Sequence, residues 1–381
     1  MSQLKVVFID DDMLMLKALL RVARRLRPEW DFILCDQPSR WLEFCSAGGQ
    51  ELSADIVISD YVMPGINGNQ ILQQASHKLP VAIRVLLTAD ASSEVFQQLE
   101  SYSHFVFSKP FREADLEHLF NCAERLQKLP FTLEDRRRVG RINQLPIMPQ
   151  LIMQLRQVLA DPESDLSDCA ELVVHDPVVS GKLIQSANSA LLGYTRQTSS
   201  LQEAIVRLGA KLTESIITTL LIGEDIKHRL PASVHNHIND QAFIHANYCR
   251  RLAQYAGMSV GQRDMLFSAA LLSAIGQLLL ETLKLTATEE LPESRSDFED
   301  STLLSAYILT LWGYPQAFCQ TLMMQDLPTN EDSEEGKMAF MLFLGKRLML
   351  DGAKAAEVLL AMIESKEVAE GFSRLCQELG Y

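Results

Sequence analysis

Five short runs rich in β-branched and aromatic residues, Val6–Ile9, Phe32–Leu34, Ile56–Ser59, Ala82–Leu87 and Phe105–Phe107, alternate with amphipathic stretches between Lys5 and about Leu126. Strands separated by helices need crossover connections, and these cover both faces of a parallel sheet. Residues 1–126 are therefore expected to form a five-stranded α/β unit. Beyond Arg141 the alternation stops and 3.6-residue apolar periodicity takes over, at Leu151–Leu159, Leu166–Val174, Val178–Ala187, Leu201–Leu208, Ile216–Ile222, Leu266–Leu280 and Leu303–Leu311. This predicts an all-α region over 142–340, with 341–381 as its C-terminal helical extension because the string MAFMLFLGKRLML reads as a further core helix. Residues 127–141, carrying Glu134-Asp135-Arg136-Arg137-Arg138, suit a linker or connecting helix with its arginines on a solvated face.

A chain of 381 residues is too long for one ordinary domain. Its 35 Lys plus Arg against 49 Asp plus Glu, a net charge of −14, disfavour sequence-independent attraction to nucleic acid or an anionic membrane. A protein partner or small ligand fits better. The apolar stretch Leu266–Leu280 is shorter than the ~20 residues a bilayer span needs and reads as a buried helix. The seven cysteines are scattered and never spaced C-x-x-C, so reduced core residues are expected rather than disulfides or zinc ligands. Met1 leads into the first strand without a charged-then-apolar leader, which makes the cytoplasm the expected compartment.

Asp10, Asp11 and Asp12 follow the first strand and Asp60 ends the third. If these strands are neighbours, their C-terminal ends place three or four carboxylates in one crevice, where ligand sites of open α/β sheets gather. Carboxylates that close raise one another's pKa unless a cation joins them, and an all-oxygen set suits Mg²⁺ rather than zinc. Thr88 ends the fourth strand, and Lys109, before Pro110, follows the fifth. A hydroxyl, an ammonium and a cation-binding acidic crevice are the equipment for moving a phosphoryl group onto a carboxylate.

The ordered set Asp10-Asp11, Asp60 with its Met63-Pro64-x-x-x-Gly68, Thr88 and Lys109-Pro110 resembles the receiver domain of two-component response regulators, over about the first third of the chain. The resemblance implies a flavodoxin-like fold, Asp60 as phosphoacceptor, Thr88 as switching hydroxyl and Lys109 as phosphate-binding cation. It further implies Asp11, Asp60 and the Val62 carbonyl as direct Mg²⁺ ligands, Asp10 as a ligand through water, and a cis Lys109–Pro110 bond. One position departs: three residues before the lysine the family carries Tyr or Phe, and this chain has Val106.

Between Leu145 and Pro328, the strings Asn188-Ser189-Ala190-Leu191-Leu192-Gly193 and Ala204-Ile205-x-x-Leu208-Gly209, with Asp176-Pro177, resemble the HDOD family, helical relatives of the HD metal-dependent phosphohydrolases. A hydrolase of that type needs His and Asp ligands to activate a metal-bound water. Where its His-Asp pair would stand, this chain has Ser273-Ala274; the other ligand positions align with Gln241, Ser301 and Gln325-Asp326. The literal pair His175-Asp176 falls in a turn before Pro177 and reads as a helix start. His228, His235 and His237 lie in a polar stretch around Pro231 that reads as a loop, and with His245 they are not expected to hold a metal. Asn188 and Ser189 fit either helix capping or contacts in a recognition groove, with capping preferred.

The expectation is a response regulator in which a histidine kinase or phosphotransfer protein phosphorylates Asp60 with Mg²⁺. The helical half would then act without catalysis or a cofactor, through a protein partner, a ligand or self-association. The competing class is a metal-dependent phosphohydrolase or cyclic-dinucleotide phosphodiesterase governed by the receiver.

Overall fold

The computed structural model describes residues 3–45, 53–89, 102–143, 145–166, 168–188, 196–227, 229–286, 296–327 and 333–381. They divide into two compact units. The first holds the chain to Ile147 together with Tyr307–Gln316, and the second holds Met148 onward, with Ala317–Tyr381.

The first unit is built on β1 (Lys5–Ile9), β2 (Asp31–Cys35), β3 (Ile56–Asp60), β4 (Ile83–Thr88) and β5 (Phe105–Ser108). The strands are parallel, in the order β2-β1-β3-β4-β5. β3 and β4 are buried along their whole length, which explains why they read as largely apolar runs, interrupted on β4 by the buried Arg84, and not as half-polar alternation. The chain crosses from β2 over β1 to reach β3, so the switch in strand order lies between β1 and β3. Ile9 pairs with Ser59, and the residues that follow, Asp10 and Asp60, emerge side by side. The expected five-stranded architecture is present, with strand ends shifted by a residue or so, β4 closing on Thr88 itself.

Helices α1 (Met13–Leu26), α2 (Trp41–Cys45), α3 (Gly68–Lys78) and α4 (Glu113–Lys128) accompany the sheet. α4 buries Leu116, Leu119, Phe120, Ala123 and Leu126 at helical spacing, and Phe120 meets Trp30 at 4.9 Å between ring centroids. The expected linker contains α5 (Leu133–Gly140), begun by a reciprocal cap between Thr132 and Asp135. Its charged run is solvated only in part: Glu134 and Arg137 are exposed, but Asp135 and Arg138 are buried, and half-buried Arg136 donates to the carbonyls of Leu126 and Gln127. The cap satisfies the Asp135 carboxylate, and the two carbonyls take part of the Arg136 guanidinium, which eases their burial.

Beyond Ile147 the regular structure of the described residues is helical: α6 (Gln150–Ala160), α7 (Cys169–Val173), α8 (Pro177–Ala187), α9 (Leu201–Lys227), α10 (Ala232–Tyr255), α11 (Val260–Leu272), α12 (Ala274–Thr286), α13 (Asp300–Leu311), α14 (Gln316–Met323), α15 (Glu334–Asp351), α16 (Ala353–Met362) and α17 (Lys366–Leu379). α10 packs against α11, α15 and α17, so the C-terminal helices belong to this core. Three expectations need correction. His235 and His237 do not lie in a loop, because α10 begins directly after Pro231 and His235 is buried inside it, whereas His228 lies outside the described residues. The run Leu266–Leu280 is not one helix, because the chain turns at Ser273 between α11 and α12. The periodic pattern at Leu166–Val174 yields only the short α7. The stretch Val260–Leu285 is apolar and long enough to cross a membrane, and 72% of its most apolar window is buried within the protein. The six cysteines with described side chains are free and buried.

α9 contains a break at Gly209, whose φ of +77° and ψ of 170° lie outside the range of helical L-residues. Asp176 is a helix cap, as expected: its carboxylate accepts from the N–H groups of Val178 and Val179, both at 3.0 Å, with Pro177 at the first helical position. Asp176→Ala is expected to cost about 1 kcal/mol by chemical denaturation; an unchanged midpoint would contradict the capping role. Asn188 is the C-cap of α8, its N–H donating to the Ile184 carbonyl at 3.1 Å, and its side chain does more. Its amide donates to the Thr198 carbonyl at 2.7 Å and accepts from the Thr198 N–H at 2.8 Å, tying the end of α8 to the entry of α9. Ser189 lies outside the described residues.

Candidate functional site

The first candidate site stands at the β1/β3 strand ends. Asp10 and Asp60 are buried, Asp11 is exposed, and one carboxylate oxygen from each lies within 4.8 Å of the others. Among the described residues this is the only such trio of potential metal donors. Asp12, the fourth carboxylate expected here, instead caps α1 by accepting from the Leu14 N–H at 2.8 Å. Its own N–H donates to Asp10 Oδ1 at 2.8 Å, which fixes the Asp10 carboxylate.

Lys109 reaches across from the end of β5, its Nζ 3.1 Å from Asp10 Oδ2 and 2.8 Å from Asp60 Oδ1. Asp60 Oδ1 also accepts from the Tyr61 N–H at 2.9 Å. Burial, reinforced by the charge of Asp10, pushes the Asp60 carboxyl above its ordinary range against the pull of Lys109. Burial pulls the Lys109 ammonium down, yet its hydrogen bonds to Asp60 and Asp10 outweigh this and raise it. Thr88 is buried at the end of β4, where its carbonyl accepts from the Lys109 N–H at 2.7 Å. The Lys109–Pro110 peptide is cis. Val62 lies exposed in the turn after β3, and Val106 on β5 is half-buried against the sheet core.

Gly68 holds this corner together. It starts α3, its N–H donates to the Tyr61 carbonyl at 3.0 Å, and a Cβ there would stand 2.2 Å from the Asp60 carbonyl oxygen. Asn67 and Gln70 form a reciprocal cap immediately around it. The turn after Asp60 thus needs a residue without a side chain.

The oxygen-only donor set, with two carboxylates buried and one open to solvent, fits a hard divalent cation that keeps water ligands. Asp10, Asp11 and Asp60 are the residues able to hold it.

The second candidate site is a cleft of about 280 Å³ in the helical unit. Gln241 (α10), Ser273 and Ala274 (at the turn from α11 into α12), Ser301 (α13) and Gln325 line it together, while Asp326, the remaining position aligned with an HD-type ligand, lines a second hollow that shares Glu299, Gln325 and Lys346. These five positions carry amides, hydroxyls and a methyl group, and the carboxylates nearby are already paired with lysines, Glu281 with Lys284 and both Glu299 and Asp326 with Lys346. An HD-type metal does not fit such a donor set. His245 also lines the cleft, but its Nε2 is engaged 3.0 Å from the Leu342 carbonyl. The sequence reading missed Lys346, which lines the cleft from α15; the available signal was a lysine inside the strongly apolar string MAFMLFLGKRLML.

Burial pushes His245 down to about 4, with the nearby Lys346 charge acting the same way and the bond to Leu342 opposing. The folded state thus holds His245 neutral, whereas an unfolded histidine protonates near 6.5. Stability from this group is complete above about pH 6.5 and is lost as pH falls towards 4, by at most about 3 kcal/mol. Buried His104, also pushed down by burial, acts in the same direction. His245→Gln is expected to flatten part of the decline in melting temperature between about pH 6.5 and 4.5; an unaltered slope would contradict a neutral buried His245.

Residues 145–328 match the family model of the HDOD domain, just under half of the chain. An uncharacterized protein from Treponema pallidum (strain Nichols) is 20% identical over 194 residues, which cover 48% of this chain and 37% of that protein. The chain therefore spans well under half the length of that relative. A solved structure from Shewanella amazonensis SB2B, provisionally named a metal-dependent phosphohydrolase, is 19% identical and covers 61% of this chain and 91% of its own, with a TM-score of 0.44. The signal receiver domain of an HD domain-containing protein from Pseudomonas fluorescens Pf-5 is 19% identical and covers 33% of this chain and 98% of its own, with a TM-score of 0.29. The chain carries an HDOD domain over residues 145–328, preceded by a five-stranded parallel α/β unit.

Proposed function

We propose that this chain is a response regulator whose α/β unit accepts a phosphoryl group on Asp60 and whose HDOD domain responds by binding rather than by catalysis. The observation that carries the reading is the meeting of Asp10, Asp11, Asp60 and Lys109 at the ends of three strands, with Thr88 at the end of a fourth. A divalent cation at the carboxylates supplies charge neutralisation for the incoming phosphoryl oxygens. Asp60 offers the attacking oxygen, held in place by the Tyr61 N–H. Lys109 turns from the carboxylates to a phosphoryl oxygen as the P–O bond to Asp60 forms and the bond to the donor's nitrogen or oxygen breaks. The Thr88 hydroxyl then donates to the phosphoryl group, pulling on the end of β4. With Val106 on β5 in place of an aromatic ring, this signal leaves through backbone and packing rather than through a ring flip.

The donor is a histidine kinase or phosphotransfer protein, and a downstream protein or ligand reads the HDOD domain. Binding is favoured over hydrolysis because Gln241, Ser273, Ala274, Ser301 and Gln325 stand where a hydrolase needs imidazoles and carboxylates, and the one aligned carboxylate, Asp326, is paired with Lys346. Incubation with Mg²⁺ and acetyl phosphate tests the reading: wild-type protein gains the mass of one phosphoryl group, and Asp60→Asn gains none. Equal gain by both proteins, or phosphodiesterase turnover by the full chain, would overturn it.

A further inference from the structure

The helical cleft contains a cation of its own. Lys346 projects from α15, 17% exposed, with its Nζ 2.7 Å from Asp326 Oδ1 and 2.9 Å from Glu299 Oε2. Asp326, part of the pair aligned with missing histidines, is 3% exposed. Its second oxygen accepts from the Glu299 N–H at 2.9 Å. One ammonium thus joins two carboxylates, and Asp326 in turn fixes the main chain just before α13. The second lysine on the cleft wall, Lys284, is paired with Glu281 at 2.7 Å. A buried carboxylate needs a counter-charge.

We propose that Lys346 is a resident cation that takes the place of the divalent metal in HD-type sites and keeps this cleft metal-free. The proposal rests on the non-catalytic reading of the HDOD domain. Asp326 and Glu299 are the only carboxylates that meet Lys346 among the described ion pairs, and, unlike the first site, where Asp11 adds a third carboxylate beside the pair held by Lys109, no third carboxylate joins them among the described residues. Its positive charge repels a second cation at the same spot. The remaining wall, Gln241, Gln277, Ser301 and Gln325, offers neutral donors and acceptors, weak ligands for a transition metal. An aligned ligand position can therefore be lost without leaving an uncompensated charge, because the lysine supplies the compensation.

The test uses the full chain with Asp10→Asn and Asp11→Asn, which removes the cation site of the first unit, and follows Mn²⁺ by electron paramagnetic resonance. This parent protein is expected to show no stoichiometric Mn²⁺ binding. Lys346→Met frees Asp326 and Glu299 and is expected to bind Mn²⁺ at least tenfold more tightly than the parent and to gain melting temperature with added Mn²⁺; Lys346→Arg is expected to match the parent. A folded Lys346→Met with no gain in Mn²⁺ affinity would overturn the proposal. So would stoichiometric binding of Mn²⁺, Fe²⁺ or Zn²⁺ by the parent that disappears on Asp326→Asn, a result readable even if Lys346→Met does not fold. Phosphorylation of Asp60 is measured separately in protein with Asp10 and Asp11 intact, so failure here and failure of the receiver reading are distinct.

Discussion

Lys109→Met is expected to slow phosphoryl uptake at Asp60 by about 10²–10³-fold, the usual consequence of deleting one preorganised charge that stabilises a transition state. The lysine is the sole ammonium touching both Asp10 and Asp60 among the described ion pairs. Without it, the developing charge on the phosphoryl oxygens falls to the divalent cation and the Thr88 hydroxyl alone. Loss of the ammonium also leaves Asp10 and Asp60 facing each other, so cation affinity should rise while the rate falls. Rates from a small phosphodonor at saturating Mg²⁺ separate the two effects. A rate within a factor of about two of wild type would remove Lys109 from the proposed chemistry.

Gly68→Ala is expected to damage both stability and chemistry. The added methyl would lie 2.2 Å from the Asp60 carbonyl oxygen and 2.7 Å from Leu86 Cδ1, distances that force the turn or the strand to move. Overpacking of this kind costs about 1–3 kcal/mol, visible as a fall of several degrees in melting temperature. The displaced atoms belong to Asp60 itself, and a misplacement approaching 1 Å can cost about 10²-fold in rate. A variant with wild-type stability and wild-type phosphoryl uptake would show that the corner is softer than its close approach implies.

Asp10, Asp11, Asp60, Thr88 and Lys109 were legible because each follows or ends a short apolar run, and parallel strands bring their C-terminal ends to one edge. Asp12 was not separable from its neighbours in the string Asp10-Asp11-Asp12. Only the start of α1 at Met13 gives it a helix N–H to accept from. The burial of Arg138 and Asp135 was hidden for the opposite reason, since composition reports charge but not the carbonyls and caps that make burial tolerable. Pro231 could have been read correctly, because proline is common at helix entries and α10 begins directly after it. The absent metal ligands were visible residue by residue. That five of their positions share a single cleft, and that Lys346 enters it from a helix far along the chain, needed the tertiary structure.

The proposed role of Asp60 is tested most directly by borohydride trapping. Protein treated with acetyl phosphate and Mg²⁺ is reduced with borohydride, which converts an aspartyl phosphate to homoserine, and is then mapped by peptide sequencing in the mass spectrometer. The account predicts homoserine at position 60, dependent on both Mg²⁺ and the phosphodonor. Homoserine at another aspartate, or unmodified Asp60 in protein shown to bind Mg²⁺, would contradict it.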